Sequence, residues 1–162
     1  MVVTPSQATR LVVSTAAMLS SSIVLAALLG LTSATLVQDC GSTAEVTEVR
    51  ITDCDIPPCI LTRGEDIKVE IDFVNVKASS TLTTKVIGNI AGIDIPWAGV
   101  VPDACTSLTT GDCPLEENES VYYTADAPVL QEYPAVSVIV KWRLVDDNDE
   151  TTVCFIVPAE VV

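Results

Sequence analysis

The chain has 162 residues, of which 22 are acidic and 8 are basic, so its net charge is −14, and it contains no histidine. The negative charge argues against nucleic-acid binding, because phosphate contacts need Lys and Arg side chains. It also disfavours docking onto anionic lipid. The lack of histidine excludes Ser-His-Asp and Cys-His catalytic groups and histidine metal sites. No cofactor is expected, since the sequence has no Gly-rich phosphate loop and no dinucleotide-binding fingerprint.

The first 34 residues have the pattern of a secretory signal peptide. Arg10 is followed by an uncharged apolar run at 11–31, and the small residues at 32–34 form a cleavage motif that ends at Ala34. We therefore expect cleavage after Ala34 and a single domain at 35–162. An uncleaved membrane anchor is the alternative, because about 20 apolar residues span a bilayer. The serines and threonines within the run favour cleavage.

Short runs of alternating apolar and polar residues predict β-strands through the rest of the chain. The predicted strands are 46–51, 66–76, 82–90, 120–124, 136–144 and 151–157. The run at 136–144 is the clearest, because Val138, Val140 and Trp142 fall on one face. Six or seven strands, with no convincing amphipathic helix after residue 34, predict a β-sandwich.

An acidic segment at 146–150 joins the last two predicted strands. Clustered carboxylates can bind calcium, but this segment lacks the glycine and the distal glutamate of an EF-hand loop. We therefore expect a solvated hairpin turn and no metal site.

Six cysteines follow the apolar run, and their even number predicts disulfide bonds in an oxidising compartment. They are Cys40, Cys54, Cys59, Cys105, Cys113 and Cys154. Proximity in the sequence favours pairing of Cys54 with Cys59 and of Cys105 with Cys113, which leaves the first cysteine to pair with the last. Zinc binding is the rival use of cysteine, but the chain has no histidine and no Cys-x-x-Cys motif.

Two apolar, proline-containing segments lie between the predicted strands, at 93–102 and 127–134. They carry Trp97 and Tyr133. Loops usually lie on the surface and are polar, so these segments either border an apolar pocket or contact surface or close the end of an ordinary sandwich core.

Several short motifs between residues 38 and 162 occur in the order found in the ML lipid-recognition family. They are Asp-Cys-Gly at 39–41, Pro-Cys at 58–59, Arg-Gly at 63–64, Pro-Asp-Ala-Cys at 102–105, Cys-Pro-Leu at 113–115, Glu-Tyr-Pro at 132–134, Lys-Trp at 141–142 and Cys-Phe at 154–155. The chain therefore resembles this family, which includes soluble sterol carriers of the Niemann-Pick type C kind and group-two mite allergens.

The resemblance implies an immunoglobulin-like sandwich of about seven strands, with the sheets splayed around a lipid cavity and with the same three disulfides. The implied cavity mouth consists of Pro96, Trp97, Val129, Tyr133 and Pro134. The implied cavity lining consists of Ile67, Val69, Val138, Val140, Trp142 and Phe155. Trp97 stands where the sterol carriers have phenylalanine, and Asp94 falls at a position that is apolar in them.

These features together predict a secreted protein that is not an enzyme and that carries a sterol or a fatty-acid-like lipid. We expect a monomer, an extracellular or lysosomal destination, and a membrane receptor or lipid-acceptor protein as partner. The alternatives are an extracellular adhesion domain with a solid core and a lipid-sensing co-receptor domain without transfer activity. Asn118 lies in the chain's one N-x-Ser/Thr motif and is a candidate glycosylation site.

Overall fold

The structure is a computed structural model that describes residues 33–162, and over this range the chain forms ten β-strands and one short 3₁₀ helix, Ala104–Ser107. The strands are β1 (Gln38–Asp39), β2 (Glu45–Ile51), β3 (Cys59–Leu61), β4 (Asp66–Val74), β5 (Leu82–Ile90), β6 (Ile93–Pro96), β7 (Leu108–Thr110), β8 (Ser120–Pro128), β9 (Ser137–Asp146) and β10 (Thr151–Val161). The predicted signal peptide lies outside the described residues except for Ser33 and Ala34.

The strands form two sheets that pack face to face. One sheet has the order β1-β10-β9-β5-β6, and β3 pairs in parallel with the last residues of β10. The second sheet has the order β2-β4-β8-β7 and is antiparallel. The predicted all-β, immunoglobulin-like sandwich is confirmed, although the described residues contain ten strands where about seven were expected.

Alternating side chains from both sheets fill the space between them. Strand β4 buries Val69, Ile71 and Phe73, and strand β9 buries Trp142 and Leu144. This follows from the period of two in the sequence, because successive side chains of a strand point to opposite faces. The predicted burial of one face of each of these strands is therefore confirmed.

Strand β8 continues to Pro128, so the prediction that it ends at residue 124 was wrong. Each residue of 120–128 pairs with a residue of β4, from Val74 opposite Ser120 to Asp66 opposite Pro128. The sequence at 125–128 has low β-propensity, which pairing with a neighbouring strand overrides. Pro128 is the last residue of the strand, where its missing N–H disturbs the ladder least.

Residues Ile93–Pro96 form strand β6, although the sequence predicted a loop there. Strand β6 pairs with β5 across the two-residue turn Ala91-Gly92, in which φ is 51° and 87°. Tight hairpin turns of this kind need positive φ at both positions and usually contain Asn-Gly or Gly-Gly. The turn could not be recognised from the sequence, because its first position is an alanine. Strands β1, β3 and β7 were missed because two or three residues are too few to show a period.

The three disulfides join the predicted partners: Cys40 with Cys154, Cys54 with Cys59, and Cys105 with Cys113. Cys59 is the first residue of β3, in the first sheet, whereas Cys54 follows β2, in the second sheet. The Cys54–Cys59 bond therefore ties the two sheets together along one edge of the sandwich.

The acidic segment forms the predicted hairpin turn between β9 and β10. Asp146 Oδ1 accepts hydrogen bonds of 2.8 Å from the backbone N–H groups of Asn148 and Glu150. Such contacts are the usual means by which an aspartate side chain stabilises a turn.

Candidate functional site

An inner cavity lies between the two sheets and has a volume of about 30 Å³. Its wall is formed by Ile51, Cys59, Leu61, Ile67, Val69, Val86, Trp97, Ala127, Val140, Trp142, Phe155, Val157 and Ala159. The side chains come from strands of both sheets and from the segment after β6. The volume is enough for about one or two water molecules.

An outer cavity of about 110 Å³ lies beside the inner one. Its wall is formed by Gly88, Ile90, Ile95, Pro96, Trp97, Tyr133, Pro134, Val136, Val138 and Val161. Trp97 belongs to the walls of both cavities. In the part of the chain that the structure describes, neither wall contains a charged side chain.

Contacts from several parts of the chain hold Trp97 in this position. Its backbone N–H donates to the carbonyl oxygen of Val86 at 2.9 Å, and its indole Nε1–H donates to the carbonyl oxygen of Pro128, also at 2.9 Å. Its ring meets that of Tyr133 edge to face, with 5.3 Å between the centroids. The hydroxyl of Tyr133 in turn accepts a hydrogen bond of 3.2 Å from the N–H of Ala98. The two half-buried rings therefore form one connected unit.

Gly88 lies beside this unit on β5. A Cβ atom at this position would lie 3.0 Å from Cγ2 of Val138 and 3.6 Å from the Trp97 ring. The glycine therefore makes room chiefly for Val138, because 3.6 Å to the indole is an ordinary van der Waals contact.

The outer cavity has an apolar rim. Ile93 and Ile95 are 66% and 48% exposed. Both lie on the sheet face that is turned towards the second sheet, because Ile95 pairs with Gly88 and Ile93 pairs with Ile90. Asp94 points to the opposite face, where its carboxylate accepts a 2.6 Å hydrogen bond from the Asn89 side chain. The strand thus keeps this charge away from the cavity.

Two hydroxyl groups lie deeper in the core, next to Trp142. The oxygens of Tyr123 and Thr84 are 2.9 Å apart, and both side chains are buried. Burial raises the pKa of the Tyr123 phenol to about 12. The phenol is therefore neutral at physiological pH and can both donate and accept a hydrogen bond.

The structure brings together most of the residues that the resemblance implied. Those in the wall of the inner cavity are Ile67, Val69, Val140, Trp142 and Phe155, and those in the wall of the outer cavity are Pro96, Tyr133, Pro134 and Val138, with Trp97 in both. Val129 lines neither cavity. It is 1% exposed, because the chain there pairs with the turn at Gly64 and Glu65, which buries the side chain in the core.

Sequence reasoning missed several wall residues. Examples are Val86 on β5, Val157 on β10 and Leu61 on β3. Val86 and Val157 alternate in phase with predicted core positions, so this signal was available. Leu61 lies on a three-residue strand that no pattern indicated.

Two further observations concern the described residues, 33–162, alone. No helix among them is long and apolar enough to cross a membrane. No group of three or more His, Cys, Asp or Glu side chains in that range is arranged to hold a metal ion.

Comparison with known proteins identifies the family. Residues 34–161 match the sequence profile of the ML domain. The NPC intracellular cholesterol transporter 2 homolog a of Drosophila melanogaster is 41% identical over 126 residues, which cover 76% of this chain and 84% of the relative. The NPC intracellular cholesterol transporter 2 of Bos taurus is 34% identical over 125 residues, which cover 76% and 83%.

A solved structure has the same fold. The crystal structure of a Niemann-Pick type C2 protein from the Japanese carpenter ant superposes with a TM-score of 0.69 at 24% sequence identity, covering 78% of this chain and 99% of that chain. From the profile match and the curated relatives, the chain belongs to the ML domain family.

Proposed function

We propose that this protein binds one lipid molecule between its two sheets and carries it in an extracellular or lysosomal fluid. The observation that carries the proposal is the pair of apolar cavities that share Trp97 as a wall residue and are bordered by an exposed apolar rim. The names of the relatives, cholesterol transporters, support a sterol as the ligand. A fatty-acid-like lipid fits the same apolar walls.

The sizes of the cavities imply that binding enlarges them. Ligand pockets for small molecules usually have volumes of about 300–1,000 Å³, whereas the inner and outer cavities have about 30 and 110 Å³. A sterol therefore has to displace Trp97 and move the sheets apart. Burial of its apolar surface provides the driving force, at about 25 cal/mol per Å².

The disulfides favour opening on the Trp97 side. Cys59 lies in the wall of the inner cavity, and its bond to Cys54 ties the sheets together there. The side chains of Trp97 and Tyr133 are held instead by one hydrogen bond each and by one aromatic contact. These contacts break at less cost than a covalent bond, so we expect the lipid to enter past the two rings.

The chemistry of the walls suits binding rather than catalysis. In the described part of the chain, the two cavities present apolar carbon, disulfide sulfur, indole and one phenol, and neither wall holds a carboxylate or an amine. The three disulfides support a location outside the reducing cytosol.

The proposal is tested by purifying the protein from a eukaryotic host, extracting it with organic solvent and identifying the extract by mass spectrometry. We expect a sterol or a fatty acid in near-stoichiometric amount, and the emptied protein should bind added cholesterol or oleic acid. If the protein neither contains nor binds an apolar molecule, the proposal is wrong and the solid-core adhesion domain takes its place.

A pair of variants on β9 locates the site. Val140 lines the inner cavity, whereas its neighbour Ile139 is 40% exposed on the opposite face of the sheet. Val140→Phe should fill the cavity and weaken lipid binding at least about tenfold. Ile139→Phe adds similar bulk outside the cavity and should bind lipid as the wild type does. Equal affinities for the two variants would place the lipid elsewhere.

A further inference from the structure

The outer face of the first sheet, turned away from the cavities, carries three of the chain's eight basic residues. Lys85 on β5 lies directly opposite Arg143 on β9, and Lys141 lies two residues before Arg143 on the same face. Side chains that are opposite each other in an antiparallel pair have their Cβ atoms about 5 Å apart. The three cations therefore form one group, which we call the basic patch.

The positive charge of the basic patch is poorly compensated. Among residues 33–162, neither Lys141 nor Arg143 forms an ion pair. Lys85 lies 3.6 Å from a carboxylate oxygen of Asp149, whose side chain is 91% exposed, and an exposed pair of this kind contributes little. Like charges directly opposite each other destabilise a sheet. An arrangement that costs stability without a compensating contact is typical of a functional surface.

Other carboxylates close to the basic patch have partners of their own or lie at the far end of the face. In the β9–β10 turn, Asp147 accepts a 3.0 Å hydrogen bond from the N–H of Ser80, and Glu150 forms an ion pair with Lys77. Glu160 is the last residue but one of β10, at the opposite end of the strand from the turn. These acidic groups therefore leave the three cations open to a partner.

Isoleucine side chains lie among the cations. Ile87 and Ile156 are the residues opposite Lys141 on its two sides, and both are half-buried. Ile139, two residues before Lys141 on the same face, is 40% exposed. A partner that matches this surface has to offer both negative charge and aliphatic side chains.

We propose that the basic patch and its isoleucines bind an acidic segment of a partner protein, in which carboxylates are mixed with aliphatic side chains. The net charge of −14 favours a segment over an anionic membrane. A membrane surface repels every carboxylate within a Debye length, about 8 Å at physiological ionic strength, whereas a short segment contacts only the patch. The site lies on the opposite face of the sheet from Val140 and Trp142, which line the inner cavity, so it is separate from the proposed lipid site.

The probe is a fluorescein-labelled peptide of repeated Glu-Glu-Leu, with a peptide of repeated Gln-Gln-Leu as its uncharged counterpart. The acidic peptide should bind the wild-type protein at low ionic strength and weaken as salt is added, because exposed charges are screened. The Gln peptide should bind at least about tenfold more weakly, the effect of losing several exposed ion pairs. In NMR spectra of the nitrogen-15-labelled protein, the acidic peptide should shift the amide signals of β5 and β9.

Two double variants with the same net charge locate the binding site. Lys141→Gln with Arg143→Gln removes two cations of the patch and should weaken binding of the acidic peptide about three- to tenfold. Lys68→Gln with Lys77→Gln removes two exposed cations outside the patch and should change it less than about twofold. The patch variant should melt no lower than the wild type, since it relieves the repulsion with Lys85.

Each outcome decides the proposal. Equal weakening in the two double variants would assign the effect to the charge of the whole molecule and overturn the inference. An acidic peptide that does not bind the wild type would also overturn it. Binding instead to phosphatidylcholine vesicles that contain phosphatidylserine, lost in the patch variant, would mean that the occupant is a membrane, and the proposal of a protein segment would be wrong. Both double variants should bind cholesterol as the wild type does, so a failure here leaves the proposed lipid carriage standing.

Discussion

Trp97 differs from the aromatic residues of the core in how it is held. It is partly buried, its indole makes one hydrogen bond to a backbone carbonyl, and its ring has one aromatic neighbour, Tyr133. Trp142 is fully buried between Phe155 and Tyr123. Displacing Trp97 therefore costs a few weak contacts, whereas displacing Trp142 disrupts the centre of the core.

Replacing Trp97 with alanine should weaken lipid binding at least about tenfold while lowering the free energy of unfolding by about 1–2 kcal/mol, the range for one hydrogen bond and one aromatic contact. Tyr133→Ala should behave similarly. Trp142→Ala is the comparison, and it should cost about 3–5 kcal/mol because it leaves a cavity in the core. Chemical denaturation and a titration with a fluorescent sterol measure both effects.

The opposite result would make the two rings part of the core. It would consist of unchanged binding in both the Trp97 and Tyr133 variants, with losses of stability as large as that of Trp142→Ala. The apolar segments would then only close the end of the sandwich.

Sequence reasoning placed some residues well and misplaced others for identifiable reasons. Val140 and Trp142 lie in the cavity wall because they are two residues apart on β9 and so share its inner face. Val129 does not, because its direction is set by pairing with a distant turn. The role of Gly88 could not be predicted either. A glycine in a strand indicates that a neighbouring group lies close, but it does not identify that group.

The β5–β6 hairpin contains a residue that is poorly suited to its conformation. Ala91 has φ of 51°, a region that costs an L-amino acid roughly 1–2 kcal/mol and that asparagine and glycine enter more readily. Ala91→Asn should therefore raise the free energy of unfolding by about 0.5–1 kcal/mol. A thermal melt of the variant beside the wild type measures the change.

Gly92 provides the control for this prediction. It has φ of 87°, and a Cβ there would meet no atom within 4 Å, so any effect of Gly92→Ala comes from the backbone alone. This change should destabilise the protein by about 1 kcal/mol. If Ala91→Asn lowers the melting temperature, the strain assigned to the turn does not exist.

A group of charges on the outer face of the second sheet links strands β2, β4 and β8. Arg50 makes ion pairs with Glu48 at 2.6 Å, Glu70 at 3.1 Å and Asp72 at 2.7 Å, and it lies over the ring of Tyr122 at 5.4 Å. The hydrogen bond from Tyr122 and the charge of Arg50 hold the pKa of Glu70 below its ordinary value. A lowered carboxyl pKa contributes stability above its unfolded value and loses it as the pH falls through the folded value.

Arg50→Met should therefore lower the free energy of unfolding by about 1–3 kcal/mol at neutral pH, because three carboxylates would face one another without their partner. The difference from the wild type should shrink as the pH falls below the ordinary glutamate range, where Glu70 becomes protonated in both proteins. Lys77→Met is the control, since it removes an exposed ion pair with Glu150 and should change little. A difference that stays constant with pH would show that packing, not charge, is lost.

The elements show the same division between what the sequence predicts and what it does not. Strands β4, β5 and β9 could be predicted because nine or ten residues show a clear alternation. Strand β6 could not be predicted, because the turn before it lacks the usual turn residues. In addition, β6 is an edge strand of four residues, which is too short to show an alternation. The end of β8 depends on its partner β4, which no local pattern shows.

For the whole molecule, cleavage after Ala34 stays a prediction, and Thr35 would be the first residue of the secreted protein. The Thr35 side chain is buried, its hydroxyl donates to the carbonyl oxygen of Cys54, and it accepts a hydrogen bond from the N–H of Ile51. Secreted protein should begin at Thr35 and contain no free thiol. Intact-mass analysis with an alkylating reagent checks both expectations, and a retained apolar segment or two alkylated cysteines would contradict them.

Asn118 lies in an exposed turn before β8 and should carry a glycan on the secreted protein. Its backbone N–H donates to the carbonyl oxygen of Asn75, and the residue as a whole is exposed. Deglycosylation should lower the mass of the wild type. Ser120→Ala, which keeps Asn118 and removes the motif, should show no such shift. A wild type without a shift would mean that the site is unused.

The most direct test of the central claim asks whether a lipid reaches the space between the sheets. The chain has two tryptophans, so Trp97→Phe leaves Trp142, which is 1% exposed, as the sole reporter. Titration of this variant with a fluorescent sterol should quench the Trp142 emission and produce energy transfer to the sterol, saturating near one sterol per protein. Saturable sterol binding that leaves the Trp142 emission unchanged, or no sterol binding by the wild-type protein, would contradict a lipid site between the sheets.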